Sequence, residues 1–245
     1  MIRFILSIIA FGCANSFSQD RLNVDQEIAQ YMQRKMSNET ESISTGSVSN
    51  GGLINGVLMP YKGENFIYFD RDSYLEGRAF LNSMVRTVVL NSYDSLYKLM
   101  PHRYFCIMEC SNEKGGDFFP HRTHQNGKSV DFMMPKKRNG KPYYGLDTLG
   151  AAHYYIRFSD EGRYARNPEI EIDFNLIAQH ILILNYYANK LGSGIEKVII
   201  KIELKDELFA TSYGRLLKET DIYFAKALSP LINSLHDEHY HIDFK

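Results

Sequence analysis

Near its C-terminus the chain runs His239-Tyr240-His241-Ile242-Asp243-Phe244, alternating ionisable and apolar side chains. Successive side chains of an extended strand point to opposite faces. His239, His241 and Asp243 therefore share one face, and Tyr240, Ile242 and Phe244 share the other. The apolar face demands a core, while the polar face must meet a cleft, a metal or solvent. Val130 to Met134 behaves in the same way, with Val130 and Phe132 on one side and Asp131 on the other. Two such strands side by side bring Asp131 close to His239 and His241. Asn126-Gly127 supplies a turn able to fold His124 back over the same face.

Five of the eight histidines fall in two short segments, around His121 and His124 and around His236, His239 and His241. Two imidazoles and one carboxylate, with a position left for water, form the ligand set expected of catalytic zinc. Zinc lowers the pKa of a bound water and polarises a carbonyl, and neighbouring histidines can move protons and stabilise an oxyanion. A single histidine of this kind is more often hydrogen-bonded or solvated than a ligand. A closed site with four protein ligands is the non-catalytic alternative.

The rest of the chain suits one sizeable domain with a decorated N-terminus. It has 245 residues, 44% of them hydrophobic and 13% aromatic, enough for a substantial core. A net charge of -1 argues against a nucleic-acid partner, which needs a basic face. The local basic group Lys136, Lys137, Arg138 and Lys141 reads as a solvated loop. Helical character is expected over Val24 to Met36, then a flexible linker over the Ser-, Thr-, Asn- and Gly-rich stretch Ser37 to Gly52.

Leu75 to Leu99 carries a helical stripe interrupted at Ser92 and Ser95, which suggests two shorter helices ending at Pro101. Tyr104 to Met108, Val130 to Met134, Val198 to Leu204 and His239 to Phe244 read as strands. Phe174 to Leu191 is the clearest helix, and Ile222 to Leu235 has helical spacing around Pro230. The irregular interleaving predicts an α+β fold with an antiparallel sheet bearing the site and helices flanking it. Two cysteines four apart on one extended segment, Cys106 and Cys110, are expected to be unpaired.

Residues Ile2 to Gly12 are almost wholly apolar, too short to span a bilayer comfortably, and followed by Ser16-Phe17-Ser18. This predicts a secretion signal over residues 1–18, an N-terminal helix and linker over 19–52, and the main domain over 53–245. Gly12-Cys13 also resembles the end of a lipobox, although Phe11 fits that motif poorly.

His-x6-Asp followed far downstream by His-x-His resembles the signature of the LAS zinc metallopeptidases. Within that group, His121, His124 and Asp131 followed by His236, His239 and His241 most resemble the penicillin-insensitive murein endopeptidases. The Gly115-Gly116 pair resembles a glycine-containing loop of that family. The resemblance covers roughly Phe80 to Phe244 in element order, and only the two histidine motifs are specific. It implies that His124, Asp131 and His241 bind Zn2+. It also implies His239 as general base or oxyanion stabiliser, His236 assisting, and His121 at the rim beside substrate or water. The implied reaction is hydrolysis of D-alanyl to meso-diaminopimelyl cross-links in peptidoglycan peptides, in the periplasm, with no stable membrane insertion after leader removal.

Some features depart from that family. The chain has no Trp, and Glu238-x2-His241 recreates the arrangement of the D-Ala-D-Ala carboxypeptidases, in which the glutamate is the base. On an ideal strand Glu238 faces away from His241, which favours His239. A D,D- or L,D-carboxypeptidase on stem peptides is the alternative enzyme, and a non-catalytic zinc-containing cell-wall binding protein the alternative from another class. Oligomeric state is not readable from the sequence.

Overall fold

The structure, a computed structural model, describes residues 26–36 and 40–245. The chain divides into two units, Met1–Ser37 and Asn38–Lys245. In the first, helix α1 spans residues 26–35, inside the segment expected to be helical. The expected secretion signal over 1–18, with Cys13, lies outside the described residues.

The second unit opens with the hairpin β1 (Ile43–Ser47) and β2 (Asn50–Ile54). It continues through β3 (Val57–Leu58), β4 (Phe66–Tyr68), α2 (Arg71–Leu75), β5 (Phe80–Leu81), α3 (Ser83–Leu99) and β6 (Phe105–Ile107). Next come β7 (Ser129–Met133), β8 (Lys136–Arg138), β9 (Lys141–Tyr143), β10 (Ile170–Ile172), α4 (Phe174–Lys190) and β11 (Ile195–Ile199). The last part holds α5 (Lys205–Ala210), α6 (Ser212–Lys218), β12 (Tyr223–Phe224), α7 (Pro230–Ser234) and β13 (His239–Phe244). Among the described residues no helix is long and apolar enough to cross a membrane.

The fold is α+β, built on a six-stranded sheet in the order β12-β11-β13-β7-β6-β4. Its four central strands are antiparallel. Both edge strands run parallel to their neighbours, so the expected antiparallel sheet holds for the centre alone. Connectivity is the reason. β4 reaches β6 through α2, β5 and α3, and β11 reaches β12 through α5 and α6, and crossovers of that length return a strand in the same direction.

Helices α3 and α4 cover the sheet face that carries Phe132 and Tyr240, burying Val85, Val88, Val89 and Leu96 from one helix and Ile177, Ile181 and Leu184 from the other. The stripe expected as two helices is one, α3, capped by Asn82, whose side chain accepts from Met84 N. Its serines face the neighbouring helix instead of breaking the stripe. Ser92 Oγ lies 3.0 Å from His180 Nε2, and Ser95 Oγ lies 2.8 Å from Tyr187 Oη.

His180 is the core end of this polar seam. It is buried among Tyr93, Phe105, Phe132 and Tyr240, with Nδ1 2.6 Å from Tyr240 Oη. Burial pushes its pKa down to about 3, against roughly 6.5 in an unfolded chain. A histidine held neutral in the native state binds more protons when unfolded, so its stabilisation is complete above pH ~6.5 and lost as pH falls towards 3. Between pH ~6.5 and ~4.5 His180 is expected to cost about 2–3 kcal/mol of stability. Urea unfolding of His180→Gln beside the unaltered chain checks this, and an equal acid loss in both would refute it.

Several local expectations are revised. The stretch expected as a linker to Gly52 forms β1 and most of β2, because a hairpin ladder needs only backbone groups. Val198 to Leu204 splits into the end of β11 and a 3-10 turn at Ile202–Leu204. Ile222 to Leu235 contains β12 and only the short α7, with Pro230 at its first turn. The basic segment expected to be a solvated loop is the β8–β9 hairpin. Lys136 is fully buried, with Nζ 2.7 Å from Asp147 Oδ1. Lys137 and Arg138 face Glu171 and Glu169. Cys106 and Cys110 are both free and buried.

Candidate metal centre

The site is on the sheet face opposite α3 and α4. In the β13–β7 ladder His241 pairs with Asp131, His239 with Met133 and Asp243 with Ser129. This register sets His241 directly beside the Asp131 carboxylate, with Nδ1 2.8 Å from Oδ1. His124 comes from the loop between β6 and β7, at a left-handed φ of 67°. Its backbone N–H donates to Ser129 Oγ, which in turn donates to Asp243 Oδ1 at 2.7 Å.

The hairpin β1–β2 holds this loop. Gln125 N donates to Val48 O, Leu53 N to Lys114 O and Gly116 N to Gly51 O. Gly115 and Gly116 both have positive φ, and a Cβ on Gly115 would meet the Gln125 carbonyl at 2.2 Å. The glycine pair is therefore the place where the loop backbone closes on itself, one residue from His124.

Each imidazole has its outer nitrogen engaged by an acceptor and its inner nitrogen turned towards Asp131. His124 Nδ1 donates to the Cys110 carbonyl, and its Nε2 lies 3.3 Å from Asp131 Oδ2. His121 Nε2 lies 2.5 Å from Glu109 Oε2, and its Nδ1 lies 3.6 Å from Asp131 Oδ2. His241 Nε2 lies 2.6 Å from Asp243 Oδ1, while Lys197 Nζ lies 2.7 Å from the other oxygen of Asp243. His124 Nε2 and Asp131 Oδ2 are fully buried and have no hydrogen-bond partner. Leaving such atoms unpaired is costly, and a cation between them removes that cost. Carboxylate or carbonyl acceptors behind metal-binding histidines fix the tautomer that offers the lone pair inward.

The tightest donor group is His121, His124 and Asp131, whose ligand atoms lie within 4.8 Å of one another and could hold a metal ion. His121, expected at the rim, thus belongs to this group, and His241 approaches through the opposite oxygen of Asp131. Burial opposes charge on Asp131, but His124 and His239 outweigh it and keep the carboxyl well below its ordinary value. Burial likewise opposes charge on His241, yet Asp243 and Asp131 hold its pKa up at about 10.

His239 stands beside the centre. Its Nε2 is 3.9 Å from Asp131 Oδ2, and its Nδ1 is 2.9 Å from both oxygens of Glu238. Burial would lower its pKa, but Glu238 and Asp131 raise it to about 8. Glu238 precedes the strand and stands behind His239. His236 packs on His239 with ring centroids 4.8 Å apart, and burial beside His239 pushes its pKa down to about 3.

A cleft of about 670 Å³ opens over these side chains, bordered by His121, His236, His239, His241, Tyr154 and Arg157. Arg122 and Tyr155 also line it. Sequence reasoning missed Glu109 and Arg78. Glu109 is buried, bound by Arg78 through Nε at 2.5 Å and Nη2 at 3.0 Å, with Tyr154 Oη 3.4 Å from its second oxygen. Burial opposes its charge, but His121 and Arg78 bring its pKa down to about 2. The one hint was a carboxylate ending an apolar run at Met108.

No protein-family model matches the chain, and no curated protein matches it.

Proposed function

We propose that the protein is an exported zinc peptidase that hydrolyses D-alanyl to meso-diaminopimelyl cross-links of peptidoglycan. The observation that carries this reading is the convergence of three inward-facing imidazole nitrogens on the buried Asp131 carboxylate, beside a cleft that His121, His239 and His241 line. His124, Asp131 and His241 would hold the ion, and nitrogen and carboxylate donors suit zinc. Zinc, when bound, supplies Lewis acidity that lowers the pKa of a water molecule and polarises a carbonyl.

The chain's own groups account for the proton transfers. His239, anchored through Nδ1 by Glu238, presents Nε2 to the cleft and accepts a proton from the attacking water. As the C–N bond breaks, it returns that proton to the leaving amine. An imidazole can serve in both steps. His236, held neutral at the edge of the cleft, packs against His239 and keeps its ring in place.

The test is incubation of the mature protein with cross-linked muropeptides, with and without a chelator, followed by mass spectrometry. Chelator-sensitive conversion of dimers to monomers is expected. Release of free alanine instead would make the protein a carboxypeptidase. A second reading is favoured by the place of His121 in the tightest donor group, because four protein donors can close a zinc site. Stoichiometric zinc with intact muropeptides would make this a zinc-containing cell-wall binding protein.

A further inference from the structure

Glu109 is a buried anion at the edge of the cleft with no part in the proton transfers above, and its environment is unusually determined. Both oxygens are bound by Arg78, Ser73 Oγ lies 3.2 Å from Oε1, and Oε2 faces His121 Nε2 at 2.5 Å. Arg78 is itself fixed over the Phe118 ring, 3.9 Å from its centroid, and donates to the Phe119 carbonyl. The Phe118 ring in turn stacks on His124, with centroids 5.3 Å apart. One braced unit thus supports both histidines of the first motif.

We propose that Glu109, braced by Arg78, is a positioning residue that sets the tautomer of His121 and so presents its Nδ1 lone pair to the metal. This rests on the metal-centre reading and goes beyond it. An ionised carboxylate only accepts hydrogen bonds, so Nε2 must carry a proton, and the neutral ring that results has its lone pair on Nδ1. Nδ1 then faces Asp131 Oδ2 at 3.6 Å, acceptor against acceptor, an arrangement that a shared cation resolves. On the other side of Asp131 a second carboxylate, Asp243, stands behind His241. With a metal bound, His121 would be a further protein ligand beside His124, Asp131 and His241.

Glu109→Gln is the decisive substitution because it preserves size while placing an amide donor within reach of Nε2. An amide N–H there moves the imidazole proton to Nδ1 and blocks coordination. In the full chain, zinc affinity measured by competition with a chromophoric chelator is expected to fall about 10–100-fold. His121→Ala, which leaves the Arg78–Glu109 pair intact, should lose a similar amount. The double variant should be no weaker than His121→Ala alone, since Glu109 acts only through that ring. Long-range 1H–15N imidazole spectra of the zinc-loaded unaltered chain should show His121 protonated at Nε2 and metal-bound at Nδ1.

Stoichiometric zinc with additive losses in the cycle, or with His121 Nδ1 unbound, would overturn the role of Glu109 and leave the metal centre standing. Failure of the unaltered chain to bind zinc would remove both. Should Glu109→Gln not fold, the spectrum of the unaltered chain and the His121→Ala affinity still decide the question.

Discussion

Asp131→Asn is expected to empty the metal centre while leaving the sheet intact. The carboxylate is the one anion in the tight donor group, and its two oxygens serve different histidines, Oδ1 facing His241 and Oδ2 facing His124 and His121. Asparagine fills the same volume between β13 and β6, so the ladder through His241 is undisturbed. It removes the charge, however, and turns one oxygen into a donor that opposes any cation. Zinc affinity should therefore fall by more than the roughly 10–100-fold that loss of an outer partner costs. Asp243→Asn, which acts behind His241 and on the Ser129 hydroxyl without touching a donor atom of the centre, provides that smaller comparison. Metal content by mass spectrometry, with near-ultraviolet circular dichroism as the folding check, separates the outcomes. An Asp131→Asn chain that still carries one zinc would remove the assignment of this site.

How far the sequence announced this arrangement depends on the kind of signal each part leaves. β13 and β7 were legible because period-two alternation coincided with a change from apolar to ionisable side chains. That pattern fixed the face and brought Asp131 to His239 and His241. Helix α4 was legible from its length and its apolar face. The β1–β2 hairpin was not, because Ser, Thr, Asn and Gly make a ladder of backbone bonds look like a linker. Its job is to hold the loop carrying His124, through Gln125 and Gly116, and contacts of that kind have no periodicity.

Glu109 was hidden for a related reason. Its partners Arg78, His121 and Tyr154 lie 31, 12 and 45 positions away, and only the fold brings them together. The same holds for Lys136, which composition assigns to solvent and which Asp147 makes acceptable in the core. Local pattern thus reveals which strand faces carry chemistry, whereas the groups that orient the chemistry are set by tertiary contacts.

His239→Ala separates the metal from the proton transfers. His239 lies 3.9 Å from Asp131 through Nε2, beyond the tight donor group, and its other nitrogen is taken by Glu238. Under the proposed reaction, truncation should leave zinc bound at one equivalent and lower kcat about 10²–10⁴-fold, the range for loss of a general acid–base group. Glu238→Gln is expected to do less, because it weakens the support of the imidazole without removing it. The ordering of the two variants carries the argument. A glutamate acting directly as base would make Glu238→Gln the inactive one and leave His239→Ala active. The contact of both Glu238 oxygens with His239 Nδ1 argues for the opposite order, with carboxylate, imidazole and cleft in sequence.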